Sequence, residues 1–204
     1  MDPAPAIFLN IPLCLAWMRR VRKVVWLMSK STFPVALEPP AGSVVVLNEA
    51  LLQPATDGSR QSPRGRIILP LHKDHDENLH RMMNVMQPGT YIRPHRHSDP
   101  PKAESIVVLR GGLWFITFEN DGQVDRVWKL EPGLGDFGVD IMPGVFHSFM
   151  VTDPDTVIFE VKPGPYVKAS DKDFASWAPI EGDASVEAYQ QKMLRTVESS
   201  ERHQ

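Results

Sequence analysis

Two segments of the 204-residue sequence carry histidines in a pattern typical of β-structure. The first, Gly89–Gly111, contains His95, His97 and Glu104, and the second, Pro143–His147, ends in another histidine. Successive side chains of a β-strand point to opposite faces, so His95 and His97 share one face and can bind a single ion. Imidazole and carboxylate donors suit a divalent transition metal. The pattern therefore predicts a metal site built on strands.

The central part of the sequence has the other signals of an all-β domain. Short runs of β-branched and aromatic residues alternate with turns rich in Gly, Pro, Asn and Asp. We predict strands over Arg64–Leu71, Leu79–Met86, Thr90–His97, Ser105–Arg110, Leu113–Glu119, Val124–Leu130, Phe137–Ile141, Val145–Val151 and Thr156–Lys162. Short strands with tight turns and no intervening helix predict one closed sandwich or barrel.

The segments before the predicted strands differ in composition from the rest. Residues 1–43 have no acidic side chain between Asp2 and Glu38, and we predict that they are disordered or not part of the native protein. Ser43–Leu52 is read as a short strand or helix, and Asp57–Ser62 as a polar loop.

After Tyr166 the strand pattern stops. Ser185 is predicted to cap a helix whose apolar face comprises Val186, Tyr189, Met193 and Leu194. The predicted organisation is therefore an N-terminal extension over 1–43, a β-barrel over 44–165 and a C-terminal extension with a helix over 166–204.

Composition excludes several classes of function. The net charge of −3 and the lack of a long basic run after residue 30 argue against nucleic-acid binding. The apolar stretch Ile7–Met18 is too short to span a bilayer, so we expect no membrane span. Cys14 is the only cysteine, which rules out a disulfide within the chain and a thiolate zinc site. These features fit a cytoplasmic protein.

The histidine segments resemble a known family. Gly89–Gly111 resembles the first cupin motif, and Gly144–His147 resembles the core of the second. Together with EVKPGPY and DKDFASWAPIEGD, they resemble the WbuC family of cupin-fold metalloproteins over about residues 44–190. That family is associated with bacterial O-antigen and related polysaccharide loci, and its reaction is not established. The resemblance implies a single cupin-type (jelly-roll) β-barrel with a short C-terminal helical extension, a bound metal and a homodimer.

By resemblance, His95, His97, Glu104 and His147 match the cupin metal-ligand positions. The gap between His97 and Glu104 is longer than in the general cupin pattern, and a bulged loop would return the glutamate to the metal. Histidine and glutamate bind several divalent ions alike, so Fe, Mn, Ni and Zn all stay open.

Arg93 has the same parity as His95, so we expect it to face inward near the metal. A guanidinium group in that position would bind a carboxylate or phosphate of a ligand. The alternative is a surface ion pair with Asp99 or Glu104.

Other polar residues are candidates for ligand binding. Lys102 and Tyr166 are expected near the barrel mouth. By resemblance, His72 matches a family position and is expected to line the pocket or to support a metal ligand through a hydrogen bond. His75 and His80 flank an acidic loop and are expected on the surface.

Two functional hypotheses follow. In the first, the protein binds or acts on a small polar ligand, such as a sugar or sugar-nucleotide of surface-polysaccharide metabolism, by metal-assisted isomerisation or by oxygenation of the Fe(II)/Mn(II) dioxygenase type. In the second, it is a non-catalytic ligand-binding or assembly protein with a structural or vestigial metal. The sequence does not choose between them.

Overall fold

The computed structural model describes residues 33–133 and 135–201 of the chain. The helices are α1 (Glu49–Gln61) and α2 (Val186–Glu201). The strands are β1 (Arg66–Pro70), β2 (Leu79–Met86), β3 (His95–Arg96), β4 (Glu104–Arg110), β5 (Leu113–Phe118), β6 (Val124–Leu130), β7 (Gly138–Ile141), β8 (Phe146–Val151), β9 (Thr156–Pro163) and β10 (Asp173–Phe174). Disorder was predicted for residues 1–43, of which residues 1–32 lie outside the described residues.

The strands form two five-stranded sheets in which every pairing is antiparallel. One sheet has the order β1-β2-β9-β4-β7, and the other has the order β10-β3-β8-β5-β6. Among the described strands, β1 and β2 are neighbours in one sheet and β5 and β6 are neighbours in the other, and at every other step the chain crosses to the opposite sheet, as in a jelly roll. The predicted fold class, a single cupin-type (jelly-roll) β-barrel with a C-terminal helix, is confirmed.

The space between the sheets is apolar toward one end and polar toward the other. The apolar part is formed by Met86, Ile92, Ile106, Val108, Leu113, Phe115, Leu130, Ile141, Phe149, Val151 and Ile158. By strand alternation, Glu160 and Lys162 of β9 point inward like Ile158. In the same way, His147 of β8 points inward like Phe149. The polar end of the interior is where the candidate site lies.

A second apolar cluster covers the outer face of the β10-β3-β8-β5-β6 sheet. It joins strand residues to the C-terminal segment through Ile116, Phe118, Val127, Phe146, Ala175, Ala178, Met193 and Val197. Helix α2 buries Met193 and Val197, which lie one turn apart, whereas Leu194 is 41% exposed. The predicted apolar face was therefore wrong for Leu194, because the helix contacts the sheet along the Met193–Val197 row.

Helix α1 replaces most of the predicted loop at Asp57–Ser62. Asn48 caps the helix by accepting a hydrogen bond from the Leu51 N–H at 3.0 Å. The helix continues through Gly58, where a Cβ atom would lie 3.1 Å from Ile67 Cδ1 of β1. The turn signal of Asp-Gly-Ser is overridden because the missing side chain lets the helix pack closely on the sheet.

Strand β3 is much shorter than the predicted strand over Thr90–His97. Pro94 has no N–H and cannot donate to a ladder. Its carbonyl instead accepts from Ala175 N at 2.9 Å, and the Ile92 carbonyl accepts from Ser148 Oγ at 2.6 Å. The residues before His95 therefore bond to side chains and loops, and regular strand pairing begins only at His95. By contrast, β2 and β6 have their predicted bounds.

The backbone before α1 lies along the outer edge of β1. Leu37 N donates to the Ile68 carbonyl at 2.8 Å, and Ile68 N donates to the Val35 carbonyl at 3.1 Å. Among the described residues, neither helix is both long enough and apolar enough to cross a bilayer.

Candidate metal centre

Four side chains from both sheets meet at the polar end of the barrel. His95 lies in β3, His97 follows that strand, Glu104 begins β4 and His147 lies in β8 directly opposite His95. Each is at most 4% exposed. Their potential ligand atoms, one from each residue, all lie within 4.8 Å of one another. The geometry brings together the four residues that the sequence analysis selected.

Backbone carbonyls set the orientation of all three imidazole rings. Nδ1 of His95 lies 3.0 Å from the Arg93 carbonyl, and Nδ1 of His147 lies 3.0 Å from the Val145 carbonyl. Nδ1 of His97 is bonded to the Asp171 carbonyl. A carbonyl only accepts, so Nδ1 of each ring is the donor in these contacts, and Nε2 is the ring nitrogen left to bind a metal. This is the tautomer that a metal ligand requires.

The Nε2 atoms of His97 and His147 face a carboxylate. Glu104 Oε2 lies 3.3 Å from His97 Nε2 and 3.2 Å from His147 Nε2. Among the described residues, His97 Nε2 and Glu104 Oε2 are buried with no hydrogen-bond partner. A cation at this point would give both of these buried atoms a partner. The residues present therefore fit a divalent ion.

Burial also keeps His95 in the uncharged form. Desolvation, followed by the charge of Lys172, lowers the pKa of His95 well below its usual value. A neutral imidazole is the form that binds a metal ion.

A tight turn positions the fourth ligand. The turn Met142–Val145 is closed by a hydrogen bond from Val145 N to the Met142 carbonyl at 3.5 Å, and Gly144 has φ +84°. This conformation favours glycine because it has no Cβ. Gly144 N donates to the His97 carbonyl at 3.1 Å, which couples the turn before His147 to the first histidine segment.

A buried network of charges lies next to the four residues. Lys162 Nζ is 3.1 Å from Glu160 Oε1 and 3.2 Å from Asp171 Oδ2. Lys102 Nζ is 3.3 Å from Asp171 Oδ1. Burial alone would lower the pKa of Lys162, but the adjacent carboxylates of Glu160, Glu104 and Asp171 raise it above the usual value. The lysine is therefore charged, and it screens the carboxylates from each other.

Of the residues predicted to bind a ligand, Lys102 is buried in this network and also donates to the Pro165 carbonyl at 2.8 Å. Arg93 donates from Nη2 to the Ala175 carbonyl at 2.6 Å and lies over the Phe174 ring at 5.3 Å. Among the described contacts, Arg93 makes no ion pair with Asp99 or Glu104.

The other two predicted ligand-binding residues are His72 and Tyr166. His72 is buried, with Nδ1 3.0 Å from the Arg81 carbonyl and its ring stacked on His80 at 4.1 Å. Tyr166 is 37% exposed, and its ring lies 5.2 Å from the His75 ring. Their roles in binding stay predictions.

His80 is buried, so its predicted surface position was wrong. The acidic loop before β2 ends at Asn78, and strand alternation turns His80 toward the interior, opposite Lys162 of β9. Its Nε2 lies 3.1 Å from the His75 carbonyl, which satisfies the buried ring. His75 is exposed, as expected.

Sequence reasoning missed Glu160, Asp171 and Lys172 as residues near the centre. Glu160 had a usable signal, because it alternates with apolar residues in a strand whose other polar member, Lys162, was expected at the barrel mouth. Asp171 and Lys172 come after the strand pattern ends, so only the return of the chain onto β3 places them here.

Comparison with known proteins gives a partial family match. A domain family of unknown function, DUF6016, matches residues 47–130, which is less than half of the chain. No curated protein matches the chain.

Several solved structures have a similar fold at low identity. L-ribose isomerase from Cellulomonas parahominis is 16% identical with a TM-score of 0.44, over 55% of this chain and 70% of that chain. A variant oxalate decarboxylase from Bacillus subtilis is 19% identical with a TM-score of 0.38, over 49% of this chain and 24% of that one. CapF is 21% identical with a TM-score of 0.42, over 52% and 30%. The matches span less than a third of the decarboxylase and CapF chains, and similarity at this level does not assign a function.

Proposed function

We propose that this chain is a metal-binding cupin-type protein that binds and acts on a small polar ligand at a divalent ion held by His95, His97, Glu104 and His147. The observation that supports this proposal is the convergence of three imidazoles on a carboxylate, with ligand atoms within 4.8 Å and two of them buried without a partner. Without a cation, this arrangement would cost free energy in the folded state.

A bound ion would supply Lewis-acid polarisation of a ligand oxygen or redox chemistry, depending on the metal. The protein would orient the ligands and exclude water. The carbonyls of Arg93, Val145 and Asp171 hold the imidazoles in the ligating tautomer. The buried position of the centre excludes bulk water and strengthens electrostatic interactions there.

The finer identity of the ligand rests on the resemblance to the WbuC family. We infer a sugar or sugar-nucleotide, with isomerisation or oxygenation as the reaction. Membership of that family, a homodimer and a cytoplasmic location belong to the same proposal.

A structural metal is the second candidate, and one observation favours it. All four candidate ligands are nearly inaccessible, as expected for an enclosed structural ion. In that case, removal of the metal would destabilise the fold, and small ligands would not bind at the centre.

The first test is metal analysis of the purified protein beside a His95→Ala/His97→Ala variant. We expect one equivalent of a divalent metal in the wild type and none in the double variant, because two of four ligands are lost. His75→Ala is the matched control, since His75 is exposed and outside the cluster. Circular dichroism would verify that each variant is folded.

The outcomes separate the candidates. Iron or manganese that chelation removes without unfolding the protein would favour a catalytic or ligand-binding centre. A metal whose removal unfolds the protein would favour the structural role. A wild type that takes up no metal after reconstitution would contradict both.

A further inference from the structure

Lys172 lies beside the candidate metal centre and has no role in the proposal so far. It directly precedes β10, which pairs with β3 so that Phe174 lies opposite His95. The rings of Phe174 and His95 are 6.0 Å apart, so Phe174 is on the side of the metal ligands. Lys172 is two residues earlier, and strand alternation places it on the same side.

The electrostatic interactions of Lys172 agree with that placement. Burial and then the charge of Lys172 lower the pKa of His95, and burial raises the pKa of Glu160 while the charge of Lys172 opposes that rise. Burial and the charge of Lys162 lower the pKa of Lys172 itself, and the carboxylates of Glu160, Glu104 and Asp171 oppose that change. The pairing of Phe174 with His95 and strand alternation therefore put Lys172 on the side of the metal ligands.

Lys172 differs from the other lysines of the centre in having no partner. Lys102 and Lys162 are buried and paired with carboxylates. Among the described residues, Lys172 makes no hydrogen bond or ion pair, and it is partly exposed while the metal ligands are buried. The N–H donors of its ammonium group are therefore available to a molecule that enters from solvent.

The charge balance of the centre favours an anion. Lys102, Lys162 and Lys172 face three carboxylates, those of Glu104, Glu160 and Asp171. A divalent ion adds two positive charges that no side chain in this group neutralises. An incoming carboxylate or phosphate would neutralise that excess, and Lys172 is the cation free to bind it.

We propose that Lys172 binds the anionic group of a ligand coordinated at the metal centre, so that the protein selects small oxyanions over neutral molecules of the same size. The inference rests on the proposed metal site and names its ligand class. An oxyanion is the shared chemistry of a hydroxy acid, a sugar acid and a sugar phosphate.

The test is isothermal titration calorimetry on protein reconstituted with Mn²⁺. The probes are glycolate, inorganic phosphate and ethylene glycol, which is the neutral counterpart of glycolate. We expect glycolate or phosphate to bind more tightly than ethylene glycol in the wild type. Lys172→Met should weaken that binding by about 10- to 100-fold, the usual value of a charge-assisted hydrogen bond. Lys168→Met is the matched control, because Lys168 is exposed on the preceding loop, and it should change affinity by less than about twofold.

The metal content of each protein separates the possible failures. If the wild type takes up no Mn²⁺, the proposed function fails and this inference falls with it. If Lys172→Met holds one equivalent of Mn²⁺ and binds the oxyanions as the wild type does, the inference is wrong while the metal site stands. Loss of glycolate binding alone would identify a carboxylate as the anion, and loss of phosphate binding alone would identify a phosphate.

Discussion

At the scale of single residues, the candidate centre depends on which atoms have partners. The three Nδ1 atoms are satisfied by backbone carbonyls, and the polar atoms left over point at one another. Buried polar atoms without partners are rare in folded proteins because each costs about 1–3 kcal/mol. A bound ion that satisfies them is therefore the simplest physical account of the cluster.

Lys162 of β9 and Lys172, which precedes β10, should differ in their effect on stability. Lys162→Met leaves Glu160 and Asp171 as buried carboxylates without their shared cation, so we expect it to lower the free energy of unfolding by about 3–5 kcal/mol. Lys172→Met removes no pair, and we expect a loss below about 1 kcal/mol. Urea unfolding of the metal-free proteins, followed by tryptophan fluorescence, measures both values.

Equal losses in the two variants would mean that Lys172 is paired in the folded protein. That result would contradict the reading of Lys172 as a group available to a ligand. A small loss in Lys172→Met also matters for the calorimetry above, because the variant must fold for its affinity to be interpreted.

At the scale of elements, the C-terminal segment contributes to both the core and the site. Helix α2 packs its Met193 and Val197 on the outer face of a sheet. The chain between β9 and that helix supplies the carbonyl of Asp171 to His97 and the side chain of Asp171 to two lysines. The helix therefore helps to hold the strand that covers the centre.

Two adjacent residues of α2 test this packing. Met193 is 5% exposed and Leu194 is 41% exposed, and their side chains are similar in size. Met193→Ala should lower the free energy of unfolding by about 2–5 kcal/mol because it leaves a cavity. Leu194→Ala should change it by less than about 0.5 kcal/mol. Similar losses at both positions, measured by urea unfolding, would mean that the helix does not pack through the Met193 face.

At the scale of the whole molecule, buried histidines should make the fold sensitive to acid. Burial and the charge of His72 lower the pKa of His80, and burial and the charge of Lys172 lower that of His95. In the unfolded chain both titrate near about 6.5, so below that pH the unfolded state binds more protons. Stability is therefore highest above that value and falls as the pH decreases toward the lowered pKa of each folded-state histidine.

We expect the free energy of unfolding of the metal-free protein to fall between about pH 6.5 and 5, by up to about 1.4 kcal/mol per pH unit for each such histidine. His80→Gln should make this decline shallower, because glutamine does not titrate. His75→Gln is the control, since His75 is exposed, and its decline should match that of the wild type. Urea titrations at a series of pH values measure the slopes, and equal slopes in the wild type and His80→Gln would contradict the assignment.

Much of the barrel could be predicted because its signals are local. Strands β2 and β6 have the predicted bounds, and β4, β5, β8 and β9 each differ from their predicted bounds by one residue. The reason is that side-chain alternation and Gly or Pro turns are patterns of neighbouring residues. Helix α1 was not predicted in full, because the close packing of Gly58 on Ile67 depends on residues of another element. The true face of α2 also depended on its contact with the sheet.

The sequence by itself determined the all-β fold class and the four residues that form the candidate metal centre, because motif spacing and strand parity are properties of short segments. Only the tertiary structure decided which surroundings those residues have. The pairing of β10 with β3 brings Asp171 and Lys172 to the centre, and the pairing of β2 with β9 buries His80 opposite Lys162. These pairings join residues 70 to 84 positions apart, and such contacts are set by the packing of whole sheets, which no local pattern encodes.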